Sequence, residues 1–423
     1  DGYTISSTGH HILVWRDTES IYRRSTKAVV YDYDVRRNYV KPISDAKGKQ
    51  MIPTFSPDGR MCAYVRDNNI WIRKFDFDTE VQVTKDGELN KIVNGITDWV
   101  YEEEFAVTNL MAWSPDSEYL AFVRFDESEV PEYSMQMYGE GLYPGYYEYK
   151  YPKAGQKNSK VSVHSYSVVT KDTKEMKVPV EGDFYIPRIT FTQNPDQLAI
   201  MTLNRQQNVF NMYYANPKSG VFRLILREEN KCYVDSDWLT SIQFLNNGFT
   251  YVSEQDGYSH IYLYSPTGVM QRQVTQGNWD VTKFLGVDEN TKTFYYESAE
   301  ESPIRRSIYK IDAKGVKTKL STEEGMNKAV FSDNFAYFVN TYSNANTPAK
   351  ITVNETKTKK ELRVLQDNAA LKSKLKEYVF AKKEFMKVHT ASDYEFNAWI
   401  VKPADFDPSK KYPVIEYIYS GPG

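Results

Sequence analysis

The chain has 423 residues, 41% of them hydrophobic, and 53 Lys plus Arg nearly balance 56 Asp plus Glu. Length and apolar content are enough for a large core, while scattered basic residues leave no electrostatic footprint for nucleic acid or anionic lipid. No apolar run approaches the roughly 20 residues of a bilayer span, and the start, Asp1-Gly2-Tyr3-Thr4, lacks the basic and apolar regions of a signal peptide.

Aromatic residues make up 15% of the chain, with 34 Tyr and 21 Phe, which favours strands, because planar rings fit a pleated surface. In chain order, Thr4-Ile5-Ser6-Ser7-Thr8-Gly9 leads into the strand pattern His11-Ile12-Leu13-Val14. Thr54-Phe55-Ser56-Pro57-Asp58-Gly59 then leads into Met61-Cys62-Ala63-Tyr64-Val65, with proline and glycine supplying the dihedrals a reversal needs. A third copy, Ala112-Trp113-Ser114-Pro115-Asp116-Ser117, precedes Tyr119-Leu120-Ala121-Phe122-Val123, and weaker ones follow at 191–201, 244–252, 287–297 and 331–339. Each hairpin is followed by a second strand pair, so seven units of four strands recur at blade-like spacing. Unrelated hairpins in a β-sandwich are the alternative, and the shared turn signature argues against it. The third unit is the longest, with its excess at 127–160, as expected of an arm reaching a partner or covering a site.

Between the second and third units lies Asp98-Trp99-Val100-Tyr101-Glu102-Glu103-Glu104-Phe105. An acidic triplet is ordinarily a solvated face. Here Trp99, Tyr101 and Phe105 tether it, which opens a second reading: two carboxylates held towards a cavity to bind a cation such as a peptide's amino terminus. Successive helical residues are about 100° apart, so a helix would not let all three converge on one point. Beyond the repeats, 367–375 carries a capping pair and helix formers. The apolar run 412–419 reads as a central strand of an α/β sheet, followed by a turn at Ser420-Gly421-Pro422-Gly423. Cys62 and Cys232 show no metal-ligand spacing and read as free thiols; no metal or cofactor is indicated.

Taken in order, Asn94-Gly95-Ile96-Thr97-Asp98-Trp99-Val100-Tyr101-Glu102-Glu103-Glu104, Glu129-Val130-Pro131, Tyr151-Pro152-Lys153-Ala154-Gly155, Asp256-Gly257-Tyr258-Ser259-His260-Ile261 and Lys410-Lys411-Tyr412-Pro413 resemble the dipeptidyl peptidase IV branch of the prolyl oligopeptidase family of serine peptidases, in its bacterial form. The resemblance covers essentially the whole chain. It implies a mainly β fold: an eight-bladed β-propeller, seven blades of which are visible here, followed by the first strands of an α/β-hydrolase domain. The expected division is a propeller at 1–376, its first blade lying upstream, and a hydrolase start at 377–423 that stops before the nucleophile. No Gly-x-Ser-x-Gly elbow occurs in the chain.

By resemblance, Glu103 and Glu104 hold the substrate's α-amino group, which with helical spacing leaves Glu102 structural, and the Tyr419 hydroxyl helps stabilise the oxyanion of the tetrahedral intermediate. Trp238 lies nearest to the aromatic residue expected to line the second-subsite pocket. His260 reads as a structural hydrogen-bonding residue. The family also carries an arginine near the substrate carbonyl, but the region aligned with it, Asp45-Ala46-Lys47-Gly48-Lys49-Gln50, offers only lysines. The implied activity is a serine exopeptidase releasing X-Pro, and less well X-Ala, dipeptides from proline-containing peptides. It implies no cofactor, a homodimer, and a periplasmic or otherwise extracytoplasmic location. The rival readings are a prolyl tripeptidyl peptidase and a non-catalytic peptide-binding propeller.

Overall fold

The computed structural model describes residues 1–419, and in them seven antiparallel blade sheets, six of four strands and the third of five, follow one another along the chain, as the repeat predicts. Each sheet is a propeller blade whose strands lie in sequence order. The first comprises Gly2–Ile5, His11–Ser20, Thr26–Asp34 and Tyr39–Pro42; the second, Met51–Phe55, Met61–Arg66, Asn69–Lys74 and Thr79–Gln82. The third comprises Met111–Trp113, Tyr119–Asp126, Lys160–Ser167 and Thr173–Met176, with Ile92–Asn94 pairing beside Tyr119–Asp126. The others occupy 184–229, 243–273, 281–319 and 326–366. Two compact units divide the chain, Asp1–Thr275 with five blades and Gln276–Gly423 with two.

A shared hydrogen-bond device explains why the turn signature repeats. In the second blade the Ser56 hydroxyl donates to Asp58 (2.6 Å) and accepts from the Met61 N–H (2.9 Å), while the Gly59 N–H closes onto the Ser56 carbonyl. Ser114 with Asp116 and Tyr119 makes the same set in the third blade, and Ser332 with Asn334 and Tyr337 in the seventh. The fourth turn residue takes positive φ: +68° at Gly59, +62° at Ser117 and +53° at Phe335. Glycine adopts this at no steric cost and the other two do not, which is why the signature weakens while the turn persists.

The second strand of a blade is the core. Met61–Arg66, Gly248–Ser253 and Thr293–Ser298 are buried at every position, whereas the outermost strand of the seventh blade, Glu361–Gln366, is exposed throughout. Burying each large apolar side chain contributes about 1.5–3 kcal/mol, so these inner strands supply much of the stability of their blades.

The excess length of the third unit is a two-stranded arm, Glu132–Met137 against Gly145–Lys150, placed between two strands of the blade. The helix expected at 367–375 is present as Ala369–Leu375, with the Asp367 carboxylate accepting the Ala369 N–H. A hairpin of Lys383–His389 and Glu395–Val401 follows. Residues 412–419 depart from expectation: they form no strand, and all but Tyr412 are exposed. A central strand needs backbone partners along both edges, and no described segment pairs with this one, so its apolar run has no sheet to enter. The turn expected at Ser420 to Gly423 lies outside the described residues.

Both cysteines are free thiols, Cys62 buried and Cys232 exposed. Among the described residues no helix is long and apolar enough to cross a membrane, and no group of three or more His, Cys, Asp or Glu side chains is arranged to hold a metal ion.

Candidate functional site on an acidic helix

The acidic run folds as a short helix, α1 (Trp99–Glu104), because its ends are fixed by side chains rather than by length. Asp98 is the N-cap: one carboxylate oxygen accepts the Tyr101 N–H (2.9 Å) and the other accepts the Ser159 hydroxyl (2.6 Å). Burial pushes the Asp98 carboxyl above its ordinary range, and those two donors pull it back. The Tyr101 side chain is fully buried, with its hydroxyl oxygen accepting the Ile186 N–H (2.8 Å) and its ring edge-on to Phe105 and Phe125. Trp99 packs on Tyr151 at the base of the arm, 4.2 Å between centroids.

With the helix fixed, its periodicity sends the three carboxylates in different directions. Glu102 turns inward with 0% exposure, and one oxygen accepts the backbone N–H groups of both Arg24 and Ser25, the latter at 2.8 Å. It is a structural latch between α1 and the first blade, as expected from the resemblance and helical spacing together. The Glu103 side chain is 23% exposed, and Arg23 Nε donates to both of its oxygens at 2.9 and 3.0 Å. Glu104 is exposed and accepts a long bond from Gln207 Nε2 (3.4 Å).

Glu103 and Glu104 therefore form an accessible acidic pair. Arg23 is itself largely exposed, so solvent screens its ion pair with Glu103. An ammonium has three donors, which two adjacent carboxylates can accept while balancing its charge.

The sequence reading missed Arg23 and Gln207. It sought an arginine at 45–50, where Lys49 instead pairs with Glu19 (2.7 Å); the guanidinium beside the acidic pair comes from the preceding loop, Tyr22-Arg23-Arg24-Ser25. Two adjacent arginines before a strand were the available signal. Trp238 sits half-buried in a 3-10 helix, Ser236–Ser241, beside Glu228, Tyr233 and Tyr251. Its loop reaches the site through the Val234 N–H, which donates to the carbonyl of Gln207 (2.7 Å). Tyr419 belongs to the other compact unit and is 90% exposed. His260 is fully buried with Nδ1 3.1 Å from the Thr275 hydroxyl, a structural place, as expected.

The fold defines the chain as a β-propeller with a short acidic helix between its second and third blades. Residues 6–349 match the family described as the dipeptidyl peptidase IV (DPP IV) N-terminal region, and the chain belongs to that family. It is similar to the crystal structure of Porphyromonas gingivalis dipeptidyl peptidase 4, with 63% identity and a TM-score of 0.95 over 97% of this chain and 58% of that one. It is also 31% identical over 425 residues to dipeptidyl peptidase 4 of Trichophyton rubrum, covering 95% of this chain and 54% of the relative. A probable dipeptidyl-aminopeptidase B of Aspergillus niger is 29% identical over 445 residues, covering 97% and 49%. The chain spans about half the length of the curated relatives it matches.

Proposed function

We propose that this chain is the substrate-anchoring part of a serine-type dipeptidyl peptidase that releases X-Pro, and less well X-Ala, dipeptides. The observation that carries this reading is the accessible Glu103 and Glu104 on a helix whose third glutamate, Glu102, and N-cap, Asp98, are fixed by buried hydrogen bonds. A free α-amino group held there fixes the register of the peptide, so that the bond two residues in is the one presented for cleavage. Arg23, beside Glu103, takes the part of the arginine near the substrate carbonyl, and Trp238 lines the second subsite. Tyr419 donates to the oxyanion.

In this reading the propeller is 1–376, and 377–423 begins an α/β-hydrolase domain that in the whole protein carries Ser, Asp and His. The family match and the dipeptidyl peptidase relatives support it. The enzyme works outside the cytoplasm as a homodimer, with the arm of the third unit contributing to the contact. The test compares Gly-Pro, N-acetyl-Gly-Pro and Ala-Ala-Pro reporters on the whole protein. Turnover of Gly-Pro alone is expected; turnover of the acetylated reporter at a similar rate removes the amine anchor, and preference for Ala-Ala-Pro makes the enzyme a tripeptidyl peptidase.

A further inference from the structure

We propose that a second cation site lies in the first compact unit, where a cavity takes an alkyl-ammonium or guanidinium group against the Glu127 carboxylate and the rings of Tyr22, Tyr147 and Tyr149. The cavity measures about 790 Å³ and is bounded by the first two blades, the N-cap of α1 and the arm. That volume lies within the roughly 300–1,000 Å³ typical of small-molecule sites. Neither Glu103 nor Glu104 lines it, so the site is separate from the proposed amine anchor.

Charge selects the ligand. Six carboxylates and two lysines line the wall, and both lysines, Lys27 and Lys49, pair with Glu19 at 3.2 and 2.7 Å. Asp98 is spent on Tyr101 and Ser159. Glu127 differs: it is 5% exposed and lines the cavity, its backbone N–H and C=O are bonded to Lys91 and Val130, and no hydrogen bond from the described residues reaches its carboxylate. Its neighbour Lys150 donates to the Val130 carbonyl (3.0 Å). A buried acid left without a donor is costly, and a cation entering the cavity satisfies it.

The aromatic side makes the cation an organic one. Tyr149 stands 5.7 Å from Tyr22 and 5.3 Å from Tyr147, and the Tyr147 hydroxyl donates to the Ile21 carbonyl (3.2 Å), pinning the arm over the first blade. Ring faces attract alkylated or planar cations, whereas no three His, Cys, Asp or Glu side chains among the described residues converge as metal ligands. Burial, then Asp98, raises the Glu127 carboxyl to about 8, with Asp126 adding and Lys150 opposing, so at neutral pH it is mainly protonated. Binding of a cation then releases that proton to solvent, and affinity rises with pH.

Calorimetry on the 423-residue chain tests this with agmatine and with N-acetyl-argininamide, whose blocked amine cannot use Glu103 and Glu104. Both are expected to bind at neutral pH with a heat that depends on the buffer's ionisation enthalpy. Glu127→Gln is expected to weaken binding at least about tenfold, and the double variant Glu103→Gln, Glu104→Gln to leave it intact. Binding of agmatine alone supports a site for free amines; binding of both extends it to basic side chains of peptides. Should Glu127→Gln alter the far-UV spectrum, Tyr147→Leu repeats the comparison from the aromatic wall. Absence of heat with both probes at millimolar concentration, or binding lost in the double variant and kept in Glu127→Gln, overturns the proposal.

Discussion

Replacing Glu102 by Ala separates what α1 needs for stability from what it offers a ligand. The substitution removes a fully buried carboxylate that accepts the N–H groups of Arg24 and Ser25. Ser25 is buried and its orphaned donor costs about 1–3 kcal/mol, whereas Arg24 is exposed enough for water to replace part of its bond. The one lost side-chain methylene adds about 0.8 kcal/mol if the cavity stays open. Together these give a loss of roughly 2–4 kcal/mol. Glu102→Gln keeps a carbonyl acceptor for the same donors and should lose about half as much. Urea unfolding followed by tryptophan fluorescence, with Trp99 reporting on the helix, measures both variants at constant slope. A Glu102→Ala midpoint equal to that of the unsubstituted chain would refute the latch.

Other outcomes follow from the same geometry. Tyr101→Phe leaves the Ile186 N–H without its acceptor, and thermal unfolding should show a loss of about 1–3 kcal/mol; no change means water or another group replaces the hydroxyl. Arg23→Ala in the whole protein should raise KM for a Gly-Pro reporter by about tenfold or more, the worth of a charged hydrogen bond to the substrate carbonyl, and an unchanged KM removes Arg23 from the site. Glu127 titrates near 8 when folded against an ordinary 4.5, so between those values the folded state holds a proton the unfolded chain has lost. Its contribution to stability is therefore present below pH 4.5 and lost as pH rises through about 8, by up to on the order of 4 kcal/mol. Glu127→Gln should flatten that part of the pH–stability curve, and superimposable curves would show that Glu127 does not titrate there.

The blades were legible because each depends on a local device. Ser, then Asp or Asn, then a residue at positive φ closes a turn within six residues, and the Ser56 and Ser114 copies announce themselves in sequence. The arm was legible as surplus length, and helical period showed that the three glutamates could not converge, while the resemblance singled out Glu102 as the structural one. What could not be read was the meeting of distant segments. Arg23 reaches Glu103 across 80 residues and Gln207 reaches Glu104 across 103, and no periodicity records such contacts. Glu127 was concealed for the opposite reason: its environment is a cavity made by the arm, the first blade and α1, none of which its own neighbours Asp126 and Ser128 reveal. At 412–419 the apolar pattern suggested a central strand, but a strand is a pairing and not a composition, and no described segment pairs with it.

The most direct test of the account is kcat/KM for a Gly-Pro reporter with the whole protein carrying Glu103→Ala and Glu104→Ala together. If the pair anchors the substrate amine, kcat/KM falls by at least about a thousandfold, or roughly 4 kcal/mol, while the unfolding midpoint stays near that of the parent. Turnover within a few-fold of the parent would contradict the anchoring role.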